Sequence, residues 1–328
     1  MIKVNGFSYN KTDFMYIRTY QDGKWNEGIL TEDDQITISA MSTSLHYGQQ
    51  AFEGLKAYKN EKGEINLFRV KDNAKRFRKS CERLLMPAID EGEFVEAVKK
   101  TVLANEKFVP QNKNQALYIR PFMIGVGPKL GVGPAIEYLF IILVSPVGSY
   151  FTEVKPIDVL VTPYDRAAPN GTGDVKVGGN YASSLYALNE AKKQGYNETL
   201  FLDPKTHTLV EEVGAANFFG ITKDNKYVTP VSNSILASIT NDSLRKIAVE
   251  YLGLEVVLGK VPIKTVKDFI EVGACGTGAL ITPIGSITHE GVKYEFKQHN
   301  VSMKLKETLL SIQYGEIEDK FNWVTRIK

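Results

Sequence analysis

Lys176 stands in the run Gly171-Thr-Gly-Asp-Val-Lys-Val-Gly-Gly-Asn-Tyr181, after a stretch bearing proline and glycine and before a helical pattern. An amine held on tight backbone can form a Schiff base with an aldehyde cofactor. A lysine in such a loop is more often a solvated surface charge. The choice between the two rests on the rest of the chain.

Other residues could serve the same chemistry. Six bases crowd Lys71 to Arg83, namely Lys71, Lys75, Arg76, Arg78, Lys79 and Arg83. Such a run usually forms a solvated helix face. An inward arginine would instead be a phosphate ligand, since its planar fork is always charged. The run Ser232-Asn-Ser-Ile-Leu-Ala-Ser-Ile-Thr240 leads into a helix. Its hydroxyls and N–H groups suit ordinary capping, or an anion favoured by the helix dipole. Gly276-Thr-Gly-Ala279 is a second small-residue turn with backbone donors. Glu211 and Glu212 precede an apolar stretch. Paired acids at a strand edge are usually solvated, and a buried one needs a cationic partner or a proton. A pyridinium nitrogen is such a partner. Tyr118 and Arg120 share one face of a strand, as a structural pair or a carboxylate site.

The bulk numbers bound these readings. A chain of 328 residues suggests about two domains, each with its own core. Its 40 basic and 38 acidic residues nearly cancel, so no nucleic-acid partner is implied. Cys81 and Cys275 lie far apart, and His46, His207, His289 and His299 are scattered. Neither pattern suggests a disulfide framework or a metal site. Met1 to Asn10 lacks a signal-peptide pattern, and no apolar run is long enough for a membrane helix. The expectation is a cytoplasmic protein with no membrane partner.

The elements that must position these residues are legible in part. Strands are predicted over Ile65 to Val70, Ala116 to Gly125 and Glu137 to Ser145. Further strands are predicted over Ile157 to Thr162, Glu198 to Asp203, Ala216 to Thr222 and Val256 to Ile263. Helices are predicted over Lys71 to Leu85, Glu91 to Val109, Ala182 to Lys193, Ile239 to Leu252 and Val301 to Tyr314. Residues 163 to 180 read as loop, and Val272 to Ile287 as short strands. Pro146 to Thr152 reads as a break. Strands and helices mix without strict alternation, which gives an α+β fold of two domains meeting near residue 148.

Together these runs resemble the branched-chain aminotransferases, within the fold-type IV group of pyridoxal phosphate enzymes. The resemblance runs from about Leu45 to Trp323. It is carried by Ala51-Phe-Glu-Gly-Leu-Lys-Ala-Tyr58, Tyr118-Ile-Arg-Pro121, Gly178-Gly-Asn-Tyr181, Glu212-Val-Gly214 and Gly276-Thr277. Each alone is weak, but their shared order is hard to explain otherwise. It implies an active site between the two domains. Residues 1–148 would form the small N-terminal domain. Residues 149–176 would be a linker and loop carrying the cofactor lysine, and 177–328 the large cofactor-binding domain.

Roles follow by likeness. Lys176 resembles the lysine that binds the aldehyde of pyridoxal 5′-phosphate. Arg76, Ile239, Thr240 and Thr277 match phosphate-binding positions. Glu212 matches the partner of the pyridine nitrogen, Tyr181 that of the ring hydroxyl, and Leu236 the apolar residue on the ring face. Tyr118, Arg120, Phe52 and Gly278 match substrate-side residues. Tyr47, Leu130 and Val132 match residues that reach across the dimer interface in relatives, so a homodimer or higher homo-oligomer is implied. The implied reaction moves an amino group between Leu, Ile or Val and 2-oxoglutarate by ping-pong kinetics. Phe52, Tyr118, Leu130 and Val132 would offer apolar walls, and Arg120 with Tyr47 would take the glutamate carboxylate.

Some positions depart from the family pattern. Ala279-Leu-Ile-Thr282 stands where some animal relatives carry a Cys-x-x-Cys redox pair. Gly278 replaces an expected alanine, and Ala215 a common threonine. Three alternatives stay open here: a D-amino acid transaminase, an aminodeoxychorismate lyase, and a non-catalytic cofactor-binding protein. The long Leu130 to Pro134 loop with Tyr-Ile-Arg-Pro disfavours the first two. Retention of Lys176 with Glu212 disfavours the third.

Overall fold

The computed structural model describes residues 6–148 and 155–328. The start of the Met1 to Asn10 stretch and residues 149–152 of the expected break lie outside the described residues. In chain order the first elements are β1 (Met15–Gln21), β2 (Lys24–Trp25), β3 (Ile29–Thr31), α1 (Thr43–Tyr47), β4 (Gln50–Phe52), β5 (Leu55–Lys59) and β6 (Ile65–Phe68). Next come α2 (Val70–Arg83), α3 (Glu91–Ala104), β7 (Ala116–Gly125), β8 (Tyr138–Val147), β9 (Ile157–Val161), α4 (Gly178–Ala182) and α5 (Ser184–Lys193). Then follow β10 (Glu198–Leu202), β11 (Val210–Val213), β12 (Ala216–Ile221), β13 (Lys226–Pro230), α6 (Ile239–Glu250) and β14 (Glu255–Gly259). The chain closes with β15 (Glu271–Gly276), β16 (Leu280–His289), β17 (Val292–Glu295), α7 (Asn300–Tyr314) and β18 (Val324–Arg326).

The chain forms two units. Of the described residues, the first gathers 6–148, Val175–Gly178 and Ile312–Lys328, and the second 155–174 and Gly179–Ser311. This differs from the division at 148 and 176 in three places, the first being that residues 155–174, expected as linker and loop, belong to the second unit and carry β9. The lysine segment joins the first unit because Val177 bridges to Ala51 and the Phe52 N–H donates to the Lys176 carbonyl at 3.0 Å. The C-terminal tail joins it because β18 pairs with β6 and the Tyr314 hydroxyl donates to the Gln115 carbonyl at 2.7 Å.

The first unit is built on one sheet in the order β18-β6-β5-β7-β8-β1-β2, with β3 on β1 and β4 on β7. Helices α2 and α3 cover it. Phe77 of α2, Phe94 of α3 and Phe140 of β8 meet with ring centroids 5.4 to 5.9 Å apart. All three rings are buried, and large ring area dominates core energetics. Asp90 starts α3 by accepting from the Gly92 and Glu93 N–H groups. The helix stops at Ala104, short of the expected Val109. There the Asn105 side chain turns to accept the Phe14 N–H and donate to the Phe14 and Thr101 carbonyls. That local pairing competes with the helix.

Two prolines sit inside strands, and one of them, Pro146, was expected to be a break. Pro121 lies in β7 where its neighbour changes from β5 to β4, so the ladder there lacks a partner that would need its N–H. Pro146 pairs with Leu117 near the end of β8, past the last β1 partner at Ile142. The expected break at Pro146 is therefore still strand.

The second unit carries a sheet in the order β11-β10-β9-β16-β15-β12-β13-β14, and a further β11–β12 pairing closes the first six of these strands into a ring. β9 and β10 are parallel and joined through α5; β13 and β14 are parallel and joined through α6. A parallel pair needs such a crossover. The rest is antiparallel apart from β9–β16, which fits the α+β expectation. The predicted strand over Val256 to Ile263 is divided into β14 and a 3-10 turn from Ile263 to Asp268. Among the described residues, no helix is long and apolar enough to cross a membrane.

Replacing Phe140 by Ala should empty the centre of the three-ring cluster and cost about 3–5 kcal/mol. A urea titration followed by circular dichroism checks this; an unchanged midpoint would refute the central role of the cluster.

Candidate active site

Lys176 is anchored by its own backbone. Its N–H donates to Ser80 Oγ on α2 at 2.9 Å, and its carbonyl accepts from Phe52. The side chain is half-buried, with Nζ 4.8 Å from the Phe52 ring centroid. Burial pushes the amine down from 10.5 to about 8, the Arg76 charge pushes the same way, and Glu53 opposes both. Between pH 8 and 10.5 the unfolded chain therefore binds the extra proton, so this group adds stability as pH rises through that window.

Glu53 sits between β4 and β5 and is wholly buried. It holds Arg76 through both oxygens, Nε to Oε1 at 2.7 Å and Nη2 to Oε2 at 2.8 Å. Burial raises its proton affinity, but Arg76, Lys176 and Asn73 outweigh that and leave it below the usual range. Its contribution to stability is thus present above the ordinary carboxylate range and lost as pH falls through the lowered value. The base cluster of α2 is otherwise largely a surface face: Arg78, for one, pairs with Glu82 one turn on.

Tyr118 and Arg120 do share one face of β7. Arg120 Nη2 donates to the Tyr118 hydroxyl at 2.8 Å, and the guanidinium lies 4.8 Å from the Phe52 ring centroid. Its Nε is buried with no hydrogen-bond partner among the described residues. Lys176, Arg76, Phe52, Tyr118 and Arg120 are thus gathered in one unit. Tyr47, Leu130 and Val132 form a separate, exposed group. The Tyr47 hydroxyl donates to the Leu130 carbonyl, and Leu130 and Val132 are 78% and 87% exposed.

The second unit holds the remaining candidates. Glu211 and Glu212 face opposite ways, as strand alternation requires. Glu211 accepts from the Ser232 and Ser234 hydroxyls. Glu212 is buried and meets Arg166 Nη2 at 2.5 Å and Asn217 Nδ2 at 2.9 Å. Asn217 also donates to the carbonyl of buried Leu236 and accepts from Asn241 of α6. Ser238 caps α6, so Ile239 and Thr240 occupy its first turn. Thr277 and Gly278 lie in the turn between β15 and β16, and Tyr181 lies in α4.

Two glycines are required here. A Cβ on Gly173 would stand 2.2 Å from the Ser234 carbonyl oxygen, so only glycine permits that approach. Gly214 takes φ +55 in the two-residue turn joining β11 to β12.

Residues 50–287 match the model of the amino-transferase class IV family. A branched-chain-amino-acid aminotransferase of Haemophilus influenzae is 50% identical over 98% of this chain and 97% of its own. The Escherichia coli branched-chain amino acid aminotransferase structure superposes with a TM-score of 0.81 at 28% identity, covering 97% of this chain and all of that one. The pyridoxal phosphate form of the Thermobaculum terrenum enzyme gives 0.80 at 26%, over 97% and 99%. The chain belongs to the branched-chain aminotransferase family. Its cofactor is pyridoxal 5′-phosphate, and its fold is that of the fold-type IV enzymes.

For an aminotransferase of this family, several structural partners went unmarked in the sequence. Glu53 lay inside the quoted Ala51 to Tyr58 run, but a single acid among apolar residues was the only signal. Arg166, Asn217 and Asn241 carried no spacing that ties them to Glu212.

With a midpoint near pH 8, about a tenth of the Lys176 amine is neutral at pH 7, against a few parts in ten thousand for a lysine at 10.5. Labelling of apoenzyme by an amine-directed reagent, read peptide by peptide by mass spectrometry, should show Lys176 half-modified near pH 8. A midpoint near 10.5 would contradict the desolvated environment.

Proposed function

We propose that this aminotransferase reversibly moves the amino group between branched-chain L-amino acids (leucine, isoleucine, valine) and 2-oxoglutarate, by a ping-pong sequence. The observation that carries the reading is the desolvated Lys176 amine held beside Phe52, Tyr118 and Arg120. Apolar and cationic surface there meet the two needs of such a substrate pair.

The donor set fits pyridoxal phosphate. An aldehyde needs an amine that can lose its proton, and Lys176 titrates near 8. A phosphate needs a guanidinium or a helix N-terminus; Arg76 would supply the first, and Ile239 and Thr240 with Thr277 the second kind of donor. A pyridine nitrogen stays protonated beside a buried anion, and Glu212 is buried with Arg166 and Asn217 holding it. Tyr181 would bond the ring hydroxyl and Leu236 pack on the ring face. When bound, the cofactor supplies the electron sink for charge that develops at the substrate Cα.

The chain's own residues do the rest. Lys176 in its neutral form takes the proton from the substrate Cα and returns it at the cofactor C4′. Phe52 and Tyr118 would give the side-chain pocket apolar surface; Leu130 and Val132, exposed and apart from them, would add to it only from a second copy across the dimer interface, and Gly278 is a further substrate-side candidate. Arg120, with Tyr47 reaching in from a second copy, would bind the second carboxylate of glutamate. The buried Arg120 Nε, without a protein acceptor among the described residues, supports that assignment. The enzyme is read as a cytoplasmic homodimer. Exposed Leu130 and Val132 beside Tyr47 give the apolar surface that a second copy would cover.

Purified enzyme given L-glutamate and 4-methyl-2-oxopentanoate should form L-leucine, and Lys176→Ala should lose at least about a thousandfold in kcat, on the scale of removing a general base together with the group that covalently holds the cofactor. Borohydride should fix the cofactor mass on Lys176. Absence of leucine despite bound yellow cofactor, product from D-glutamate instead, or cofactor mass on another lysine would each defeat this reading.

A further inference from the structure

Glu53 is wholly buried. A buried carboxylate is costly unless it is paired and hydrogen-bonded. Here its oxygens accept from Arg76 Nε and Nη2, from Asn73 Nδ2 at 2.7 Å and from the Gly54 N–H at 3.1 Å. Arg76 and Asn73 stand three residues apart on one face of α2. The Glu53 N–H donates to the Pro121 carbonyl at 2.7 Å, which ties the acid's own backbone to β7. Both ends of the pair are therefore fixed to rigid elements.

A guanidinium is planar. Clamping its Nε and Nη2 edge fixes the plane of the whole group and so the direction of its other N–H bonds. A lone surface arginine would have to freeze several torsions when an anion arrives, and that entropy would be lost from affinity. We propose that Glu53 is a positioning residue for phosphate recognition, holding Arg76 in the one orientation that serves the phosphate of the cofactor. The inference rests on the reading of Arg76 as a phosphate ligand. It gives Glu53 no contact with cofactor or substrate.

Pyridoxal lacks the phosphate, so the ratio of pyridoxal to pyridoxal phosphate dissociation constants isolates phosphate recognition from the rest of the site. It is measured on full-length apoenzyme of the parent and of Glu53→Gln, Glu53→Asp and Arg76→Gln. Glu53→Gln should lower the ratio about tenfold or more, since a charge-assisted pair is broken, while the pyridoxal constant stays near the parent value. Equal weakening of both ligands would show a merely structural role and overturn the inference. If Arg76→Gln lowers the ratio and Glu53→Gln leaves it unchanged, the Glu53 inference alone falls. If Arg76→Gln leaves it unchanged, the phosphate reading of Arg76 fails and the inference with it. Should Glu53→Gln not fold, Glu53→Asp decides. It keeps the charge but draws the carboxylate back by one methylene, so a lowered ratio supports orientation as the cause and the parent ratio overturns it.

Discussion

The removal of one amine from water is the constraint on which the proposed chemistry depends. Lys176 would be a protonated surface base in an ordinary loop. Desolvation lowers its proton affinity, the nearby Arg76 charge lowers it further, and Glu53 keeps the fall moderate. A lysine held fully protonated could neither attack an aldehyde nor accept a proton from carbon. A lysine with no anion near it would make the arrangement of two buried cations hard to sustain. The Glu53–Arg76 pair settles this balance, because the carboxylate neutralises one cation while moderating the other.

The second unit solves a related problem with a network. Glu212 is an anion in a buried strand, and such an anion needs donors on its available lone pairs. Asn217 donates to one oxygen, and Arg166 stands as an ion pair against the other. Asn217 then reaches the Leu236 carbonyl and Asn241 of α6, and Asn241 accepts from Tyr227 and donates to Thr229. Glu212, the Leu236 carbonyl and the first turn of α6 therefore share one set of hydrogen bonds. A network of this kind fixes geometry best when every polar atom in it is satisfied; here Arg166 Nε is buried with no hydrogen-bond partner among the described residues.

The site was legible in proportion to how local its signals were. Lys176 stood out because glycines flank it, and α6 because Ser238 and Thr240 precede an apolar period. Tyr118 and Arg120 were placed on one face by strand alternation alone. The same rule separates Glu211 from Glu212. Less was visible before Ile65. Strands β1 to β5 are short or lack a clean two-residue period; β4 is three residues long, is parted from β5 by Glu53 and Gly54, and β5 is buried on both faces along most of its length. Helix α3 ended early because Asn105 bonds to Phe14, a residue 91 positions away.

The sequence by itself determined the mixed α+β class, the main helices and central strands, and the family, and it marked Lys176 as the candidate cofactor lysine, because each depends on residue type at short spacing. Only the tertiary structure decided that Val175–Gly178 and the C-terminal tail belong with the first unit, that Glu53 clamps Arg76, and that Arg166 stands against Glu212. These are pairings between distant segments. Their partners are chosen by sheet register and by the cost of leaving a buried charge alone, and neither leaves a mark in the local pattern of residues.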